Sequence, residues 1–456
     1  MTQNSSPSPH RTMLRSLILR KPILSTPLLS TLILTSLLVV AYVPSAVAQS
    51  PDSSQAKILA GYFEEWSIYG ANYNIANLQQ NHVANRISHL IYAFGNVAPT
   101  AGAPNAQCQL ADSWADYQTP YLPSVNGQPY TNWPYGNFGA LIQLKQLHPN
   151  LKIMISLGGA SATNAAGFSY AASTPQLRSQ LVASCLNMFI TGNVGTDYNG
   201  NPVSIAGLID GIDIDWEFPS STDTHNFTLL MREFRKQLDA LGAATDTHYL
   251  LSIFAPAGSA NYSNIELAKA ASTLDFLNVQ GYDMHGTWET STNHASPLFD
   301  SPNDPSFGQG FDVDDTMAAY LAAGVPARKL LVGVPFYGYG WTGVPDVNHG
   351  LYQASTGPAP SPAGDVLQTA GVATYGTLQS QTGFTHYFDP IGLAQWIYNP
   401  ATQTFWTYDN VRTANLKMFY LQNRVPGGLG GAFFWAFKDD DANGTLVKHM
   451  ALGLGR

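Results

Sequence analysis

Short runs of branched apolar residues recur along the chain, each followed by loop residues and then by a helical pattern. A continuous apolar run of this length is typical of a strand that is buried on both faces. Between the runs lie segments with the period of an amphipathic helix, including FGALIQLKQLH, TPQLRSQLVASCLNMFI, NFTLLMREFRKQLDAL and VRTANLKMFYLQN. We predict eight strands, at residues 58–63, 87–94, 152–157, 208–215, 249–255, 275–282, 329–336 and 430–435.

Eight buried strands that alternate with helices predict an α/β fold, a closed (β/α)8 TIM barrel. The spacing breaks once, where roughly 65 residues rich in Gly, Pro, Tyr and Thr precede the helix before the eighth strand. The fragments GLYQAST and QWIYNPATQTFWTYDN within this interval resemble short strands with turns. We therefore predict a small α+β insertion domain at residues 345–405, which would form one wall of a cleft at the C-terminal face of the barrel.

The first 48 residues have the pattern of a secretory signal peptide. A basic region with four Lys and Arg residues precedes the apolar run TLILTSLLVVAYV, and the A-V-A sequence that ends at Ala48 offers a cleavage site. A transmembrane anchor is the alternative, but the apolar run is short for a spanning helix. We expect residues 1–48 to be removed and residues 49–456, the catalytic domain, to be exported to the periplasm or the extracellular space.

The charge balance narrows the class of partner. The net charge is −9, and removal of the four basic residues of the signal peptide changes it to −13. Such a balance disfavours nucleic acid and anionic membranes as partners. Only 11% of the residues are charged, whereas 23 Tyr, 21 Phe and 9 Trp are present, which suits a neutral ligand with apolar faces such as a sugar. We expect a monomer.

The chain has two cysteines, Cys108 and Cys185. An oxidising compartment permits one disulfide bond between them, and two free buried thiols are equally compatible with the sequence. The sequence contains no Cys/His cluster with the spacing of a metal site. We therefore expect neither a metal ion nor an organic cofactor.

The most unusual polar pattern lies in the fourth predicted strand. The run LIDGIDIDWEF places Asp210, Asp213, Asp215 and Glu217 among apolar residues, with no Lys, Arg or His. Because residues two apart share one face of a strand, the last three acids point to the same side at intervals of roughly 6–7 Å. In a barrel they would point inward and climb toward the C-terminal mouth, with Glu217 highest.

Carboxyl groups that are buried this close together cannot all ionise. Burial of an unpaired carboxylate is costly, so at least one of the acids should hold a proton at neutral pH, as a general acid does. A solvated edge strand would have polar neighbours, and a calcium site would use a glycine-rich loop with alternating Asp and Asn. We therefore favour catalysis.

The segment from Asp210 to Glu217 resembles the DGxDxDxE signature of the family 18 glycoside hydrolases, the chitinases, of the bacterial type with an insertion domain between strands seven and eight. The resemblance implies that Glu217 acts as general acid and then as base. Asp215 would hold the acetamido nitrogen of the substrate, and Asp213 would be its buried partner in proton sharing. The substrate's own acetamido oxygen is then the nucleophile. Asp210 would be structural.

Other strand ends extend the resemblance over nearly all of the mature chain. The sequence from Ser156 to Gly159 resembles the SxGG motif of the third strand, and NVQGYDMHGTWE resembles the sixth strand with its MxYD motif. In the family, the tyrosine at the position of Tyr282 bonds the acetamido carbonyl group and belongs to the catalytic set. The resemblance further implies a structural role for Ser156 and substrate-binding roles for Asp283, Trp435, Tyr62, Phe94, Gly158, Tyr337 and Trp288.

Three positions depart from the family pattern. Ala160, Gln280 and Tyr339 stand where many members have Trp, Met and Arg. The contacts that the usual side chains make in the family are therefore not expected to carry over unchanged.

The leading hypothesis is an exported, endo-acting chitinase that cleaves β-1,4 bonds between N-acetylglucosamine units of chitin and chito-oligosaccharides with retention. An endo-β-N-acetylglucosaminidase acting on glycoprotein glycans is the alternative within the family. A non-catalytic chitinase-like lectin would lack the acid, whereas Glu217 is present. A glucan hydrolase with two catalytic carboxylates would need a second acid-rich strand, and no other predicted strand has one.

Overall fold

A computed structural model describes residues 56–97 and 107–456; the predicted signal peptide lies outside this part of the chain. The predicted TIM barrel is confirmed, because the first of eight parallel strands pairs with both the second and the last and closes the ring. We number the barrel strands β1 (Ile58–Glu64), β2 (His89–Asn96), β3 (Lys152–Gly159), β4 (Gly211–Trp216), β5 (Leu250–Ala255), β6 (Phe276–Val279), β7 (Leu330–Pro335) and β8 (Gly431–Trp435).

Helices follow the strands around the outside of the barrel. The apolar residues between strands and helices form the main core, and a second apolar cluster fills the barrel interior with side chains such as Met154, Phe276 and Phe433. The α-helices are Ile75–Gln80, Gly136–Leu147, Ala162–Ala172, Pro175–Cys185, Thr224–Thr245, Ser259–Tyr262, Leu267–Ala271, Val313–Ala322, Tyr375–Leu378, Val411–Asn423 and Thr445–Gly453.

The fourth strand begins at Gly211 and not at Leu208 as predicted. The carboxylate of Asp210 accepts a hydrogen bond from the backbone N–H of Ile153 at 2.8 Å. In a regular pair of strands a backbone carbonyl group would accept this hydrogen bond. Lys145 and Lys152 also bind this carboxylate, at 2.6 and 3.4 Å. Asp210 therefore lies at the N-terminal end of β4, where it joins β4 to the start of β3.

A second, six-stranded sheet lies in the chain between β7 and β8. Its first strand, Tyr337–Thr342, follows β7 after a single residue and pairs antiparallel with Thr404–Tyr408 and Val372–Thr374. The inserted sheet therefore begins before residue 345 and ends after residue 405. It begins earlier because the run KLLVGVPFYGYGW supplies one strand to the barrel and one strand to the inserted sheet. Its other strands are Gly357–Pro358, Thr385–Asp389 and Ala394–Asn399, and the helix Tyr375–Leu378 lies among them in the chain.

The two cysteines form a disulfide bond with a Cα–Cα distance of 4.9 Å. It joins Cys108, beside the short strand Gln109–Leu110, to Cys185 at the end of the helix Pro175–Cys185. This resolves the two possibilities that the sequence left open. No helix within residues 56–97 and 107–456 is both long and apolar enough to cross a membrane.

Candidate active site

The acidic side of β4 faces the barrel interior as predicted. Asp213 and Asp215 are buried, and Glu217 follows the end of the strand. The apolar side packs outward, where the ring of Trp216 stacks on Phe168 with 5.4 Å between ring centroids. The alternation of the sequence thus separates an acidic inner side from an apolar outer side.

Asp213 is surrounded by hydrogen-bond donors from four other strands. Its Oδ2 accepts the hydroxyl groups of Tyr62 and Ser156, each at 2.8 Å. Its Oδ1 accepts the hydroxyl group of Ser252 at 2.6 Å and the amide of Asn278 at 3.3 Å. Burial raises the pKa of Asp213, and these hydrogen bonds oppose the shift.

Asp215 and Glu217 form a coupled pair above Asp213. Burial, and then the charges of Glu217 and Asp213, raise the pKa of Asp215 well above its ordinary value. Burial and the charge of Asp283 raise the pKa of Glu217 to about 7, while its hydrogen bond with Asp215 opposes the shift. Oδ1 of Asp215 is buried and has no hydrogen-bond partner in the described part of the chain. The pair therefore combines a protonatable acid with an open acceptor.

A cavity of about 510 Å³ opens above this pair at the C-terminal end of the barrel. Such a cavity is of the size of a small-molecule site. The site residues predicted from the sequence that line it are Glu217, Asp215, Tyr282, Asp283, Trp435, Tyr62, Phe94, Gly158 and Tyr337.

Aromatic side chains form a row along the cavity. The ring of Trp435 lies 5.3 Å from that of Tyr62 and stacks on Phe94 at 5.7 Å. Phe94 in turn stacks on Trp66 at 6.0 Å. Trp66 is 39% exposed, so the row runs from the interior of the cavity toward solvent. A row of this kind offers apolar faces on which sugar rings can stack.

Asp283 is held by two tyrosines of the inserted sheet. The hydroxyl groups of Tyr337 and Tyr339 donate to its Oδ1 at 2.5 and 3.0 Å, and Gln280 approaches Oδ2 at 3.5 Å. Burial raises the pKa of Asp283, and these hydrogen bonds oppose the shift. Two of the three residues that depart from the family pattern, Gln280 and Tyr339, therefore bind Asp283.

Tyr282 lies next to Asp283 with its side chain in the cavity. Burial, and then the charge of Asp283, raise the pKa of its hydroxyl group well above the ordinary value. The hydroxyl group therefore stays protonated and remains a hydrogen-bond donor at any physiological pH.

Besides Asp213, which lies below the cavity, three of the predicted site residues lie away from the cavity wall. Trp288 is 60% exposed and packs edge-to-face on Tyr339, with 5.3 Å between the ring centroids. Ser156 lies beneath the cavity, bound to Asp213. Asp210 lies at the opposite end of β4 and pairs with Lys145 and Lys152.

Several side chains of the site were not predicted from the sequence. Ser252 and Asn278 are single polar residues in apolar strands. The available signal was the two-residue period of a strand, which places each of them on the inward side. Trp66 lies just beyond the end of β1, within the run GYFEEW. The role of Tyr339 depends on the pairing of the inserted sheet, which no local pattern specifies.

One group of acids in the described part of the chain could hold a metal ion. Oxygen atoms of Asp300, Asp312 and Asp315 lie within 4.8 Å of one another. None of the three lines the cavity, and Asp312 caps the helix Val313–Ala322.

A TIM barrel with buried carboxyl groups and an aromatic row at its C-terminal mouth defines a class of protein, the barrel enzymes that act on glycosidic bonds. A profile of the family described as glycosyl hydrolases family 18 matches residues 58–440, and the chain belongs to this family.

Proteins and structures similar to this chain agree with that assignment. Chitinase A1 of Niallia circulans is 32% identical over 454 residues, which cover 90% of this chain and 60% of that protein. Chitinase C of Streptomyces lividans is 34% identical over 86% of this chain and 59% of its own. The catalytic domain of psychrophilic chitinase B from Arthrobacter TAD20 superimposes with a TM-score of 0.79 at 33% identity, over 88% of this chain and 95% of that domain. This chain thus spans about 60% of the length of the first two relatives.

Proposed function

We propose that this protein is a chitinase, which hydrolyses β-1,4 bonds between N-acetylglucosamine units of chitin and chito-oligosaccharides with retention at the anomeric carbon. The similar proteins named chitinases support the substrate. The acidic side of β4, which ends in a protonatable Glu217 at the cavity, supports the chemistry.

The open Oδ1 of Asp215 is the observation that carries this proposal. A buried oxygen without a donor is uncommon, since most buried polar atoms are paired. The N–H of an acetamido group at this position would supply the missing hydrogen bond. A sugar that lacks the acetamido group would leave the oxygen unpaired, so the site favours N-acetylated sugars.

In the proposed reaction Glu217 is first an acid. It donates its proton to the glycosidic oxygen, and the bond from that oxygen to the anomeric carbon breaks. The carbonyl oxygen of the substrate's acetamido group forms the new bond to the anomeric carbon, so that a cyclic oxazolinium ion replaces an enzyme-bound intermediate. Asp215 would balance the positive charge that develops on the acetamido group.

In the second half of the reaction Glu217 is a base. It takes a proton from a water molecule, whose oxygen attacks the anomeric carbon and opens the ring. Two displacements on the same carbon give retention. The protonated hydroxyl group of Tyr282 would donate to the acetamido oxygen, and Asp213 would be the buried partner of Asp215 in proton sharing.

A comparison of two substrates tests the proposed specificity. Products from an N-acetylglucosamine hexamer should form rapidly, whereas a high-mannose glycopeptide should release little or no glycan. Efficient release from the glycopeptide would favour the endo-β-N-acetylglucosaminidase alternative.

Fully deacetylated chitosan tests the nucleophile, since it lacks the acetamido oxygen. We expect no cleavage, and the hexamer serves as the matched positive control. Efficient cleavage of chitosan would rule out the substrate-assisted mechanism.

A further inference from the structure

A second pair of buried acids lies at the rim of the cavity, and the proposed reaction does not use it. Glu65 lines the cavity and is 4% exposed, and Asp116 is 1% exposed. Glu65 begins the short helix Glu65–Ile68 after β1, whereas Asp116 lies in the turn Trp114–Gln118 after β2. The two acids therefore join two different connections of the barrel.

The helix Glu65–Ile68 packs against the segment Trp114–Gln118, which brings the two carboxyl groups within hydrogen-bonding reach of each other. Oε2 of Glu65 and Oδ2 of Asp116 are buried and receive no donor from the other described residues. Glu64, one residue earlier, differs because the ammonium group of Lys438 lies 2.8 Å from it. Since two carboxylates can hydrogen-bond only if one of them keeps its proton, Glu65 and Asp116 share a proton.

The titratable groups around this pair are other acids and two tyrosines. Tyr92 on β2 donates to Oδ1 of Asp116 at 2.6 Å, and Tyr69 donates to Asp112 at 2.5 Å. Burial, and then the charges of Asp116 and Asp112, raise the pKa of Glu65 to about 10. The surroundings therefore favour the protonated pair at neutral pH.

The residue that follows Glu65 is Trp66, the outermost ring of the aromatic row. On the side of β1, the amide of Asn137 donates to the backbone carbonyl oxygen of Glu65 at 3.1 Å, and beyond Trp66 the N–H of Tyr73 donates to the carbonyl oxygen of Ser67 at 2.9 Å. The Glu65 side chain adds its contact with Asp116 to these backbone hydrogen bonds. We propose that the hydrogen bond between Glu65 and Asp116 fixes Trp66 against Phe94, so that Glu65 is a positioning residue for the distal units of a long oligosaccharide. The oligosaccharide rests on the proposed function, whereas the coupling between Glu65 and Trp66 does not.

Loss of the shared proton would reverse this effect. Two buried negative charges in contact repel each other, and the Asp116 carboxylate, which does not line the cavity, could reach water only if the two segments separated. Trp66 would then move away from Phe94. A long ligand would lose one stacking surface, while the groups around Glu217 would keep their places.

The Glu65→Gln variant is the matched test of this coupling. Its amide donates a hydrogen bond to the Asp116 carboxylate at every pH, because it does not titrate. The Glu65→Ala variant cannot form the hydrogen bond at all. The first should hold Trp66 independently of pH, and the second should release it at every pH.

The first experiment needs no ligand. The fluorescence of Trp66, obtained as the difference between the protein and its Trp66→Phe variant, is followed with acrylamide quenching as the pH rises. We expect quenching to increase as the pH approaches 10 in the unsubstituted protein and to stay constant in Glu65→Gln. The same increase in Glu65→Gln would overturn the proposal.

The second experiment measures binding in a Glu217→Gln background, which prevents hydrolysis and removes the titration of Glu217. The affinity for an N-acetylglucosamine hexamer should fall about twofold to tenfold at alkaline pH, and only where Glu65 is present. The affinity for a dimer, which covers less of the aromatic row, should change less with pH than the affinity for the hexamer.

The outcomes separate the two proposals. Hexamer binding with the same pH dependence before and after the Glu65→Gln substitution, or wild-type affinity in Glu65→Ala, would contradict the positioning role. If no variant binds the hexamer while the Trp66 fluorescence still responds to Glu65→Gln, the positioning role holds and the proposed function fails.

Discussion

At the residue scale, Asp213, Asp215 and Glu217 are all carboxylic acids but differ in their hydrogen-bond donors and in their access to the cavity. Asp213 receives four hydrogen bonds and is sealed below the cavity. Asp215 keeps one open oxygen, and Glu217 borders the cavity. Asp215 and Glu217 both line the cavity. The proposed reaction gives the acid role to Glu217, because the open oxygen of Asp215 is proposed to bind the acetamido group.

Replacement of the acid tests that assignment. Glu217→Gln keeps the shape of the side chain but cannot donate the proton, so kcat for the hexamer should fall by about a hundredfold to ten-thousandfold. Binding of the hexamer, measured by calorimetry, should remain. Retained turnover would exclude Glu217 as the acid.

Asp210→Asn is the matched control, because it removes an acid from the same run at the opposite end of β4. It should lower the melting temperature, since Lys145 and Lys152 lose their partner, and leave kcat close to that of the unsubstituted protein. An equal loss of kcat would mean that the run acts as a unit and that the acids cannot be ranked.

The pH dependence of kcat should follow the protonation of Glu217. Its pKa is raised to about 7, so the acid is protonated below that value and is lost as the pH rises through it. Well above that pH, kcat should fall about tenfold for each further pH unit. Initial rates on saturating hexamer across a buffer series measure this limb.

Asp283→Asn provides the control for the pH limb. The charge of Asp283 is the second cause of the raised pKa of Glu217, after burial. Its removal should move the limb toward lower pH, whatever it does to the rate itself. If the pH at which kcat falls does not change in Asp283→Asn, a group other than Glu217 controls the pH dependence of kcat.

The acids of the site could be predicted from the sequence because a strand has a fixed period of two. Asp213, Asp215 and Glu217 had to share one side, and their apolar neighbours had to face the helices. The partners Ser252 and Asn278 could not be predicted in the same way. Each is a single polar residue, and only the register of the closed barrel brings it to Asp213.

At the scale of elements, the pairing of β3 with β4 leaves no room for a side chain at Gly158, where the strands reach the cavity. Gly158 has a φ of +120°, and a Cβ atom there would lie 2.1 Å from the backbone oxygen of Asp215 and 2.9 Å from the ring of Phe168. The glycine therefore permits the approach that places Asp215 beside β3.

Gly158→Ala should destabilise the protein by more than about 3 kcal/mol, since a strained φ and a backbone clash act together. Chemical denaturation measures the change. Gly207→Ala is the matched control, because Gly207 has a φ of +79° but no atom within 4 Å of the added Cβ. It should cost about 1–2 kcal/mol. Equal effects would mean that the clash is relieved by a shift of the strands.

The strands themselves could be predicted well, whereas the division of one run between two sheets could not. KLLVGVPFYGYGW has the composition of one continuous strand, yet β7 ends at Pro335 and Tyr337 starts a strand of the inserted sheet. Only the antiparallel partners of that second strand, far along the chain, separate the two.

At the scale of the whole molecule, the disulfide bond links segments 77 residues apart in sequence. A cross-link over a loop of this length restricts the unfolded chain, so removal of both cysteines should cost about 2–4 kcal/mol. The Cys108→Ala/Cys185→Ala double variant should therefore have a lower melting temperature in calorimetry.

A reductant supplies the control for this prediction. It should lower the melting temperature of the unsubstituted protein toward that of the double variant and leave the double variant unchanged. A double variant as stable as the oxidised protein would show that the cross-link contributes nothing to stability.

The barrel as a whole could be predicted because eight apolar strands repeat with helices between them. The pairing of Cys108 with Cys185 could not, since it depends on how the segment after β2 lies against the helix Pro175–Cys185. Local pattern gives the number and type of elements, whereas contacts between distant loops depend on the assembled barrel.

The passage of the chain from β7 into the inserted sheet after one residue limits how the two parts can be recombined. A chimera in which a short turn replaced the insertion would also delete the hydroxyl groups of Tyr337 and Tyr339 that hold Asp283. A chimera that received the sheet from a relative would need that relative's partner for Asp283 as well. In domain exchange, the inserted sheet and the loop that carries Asp283 must therefore be transferred together.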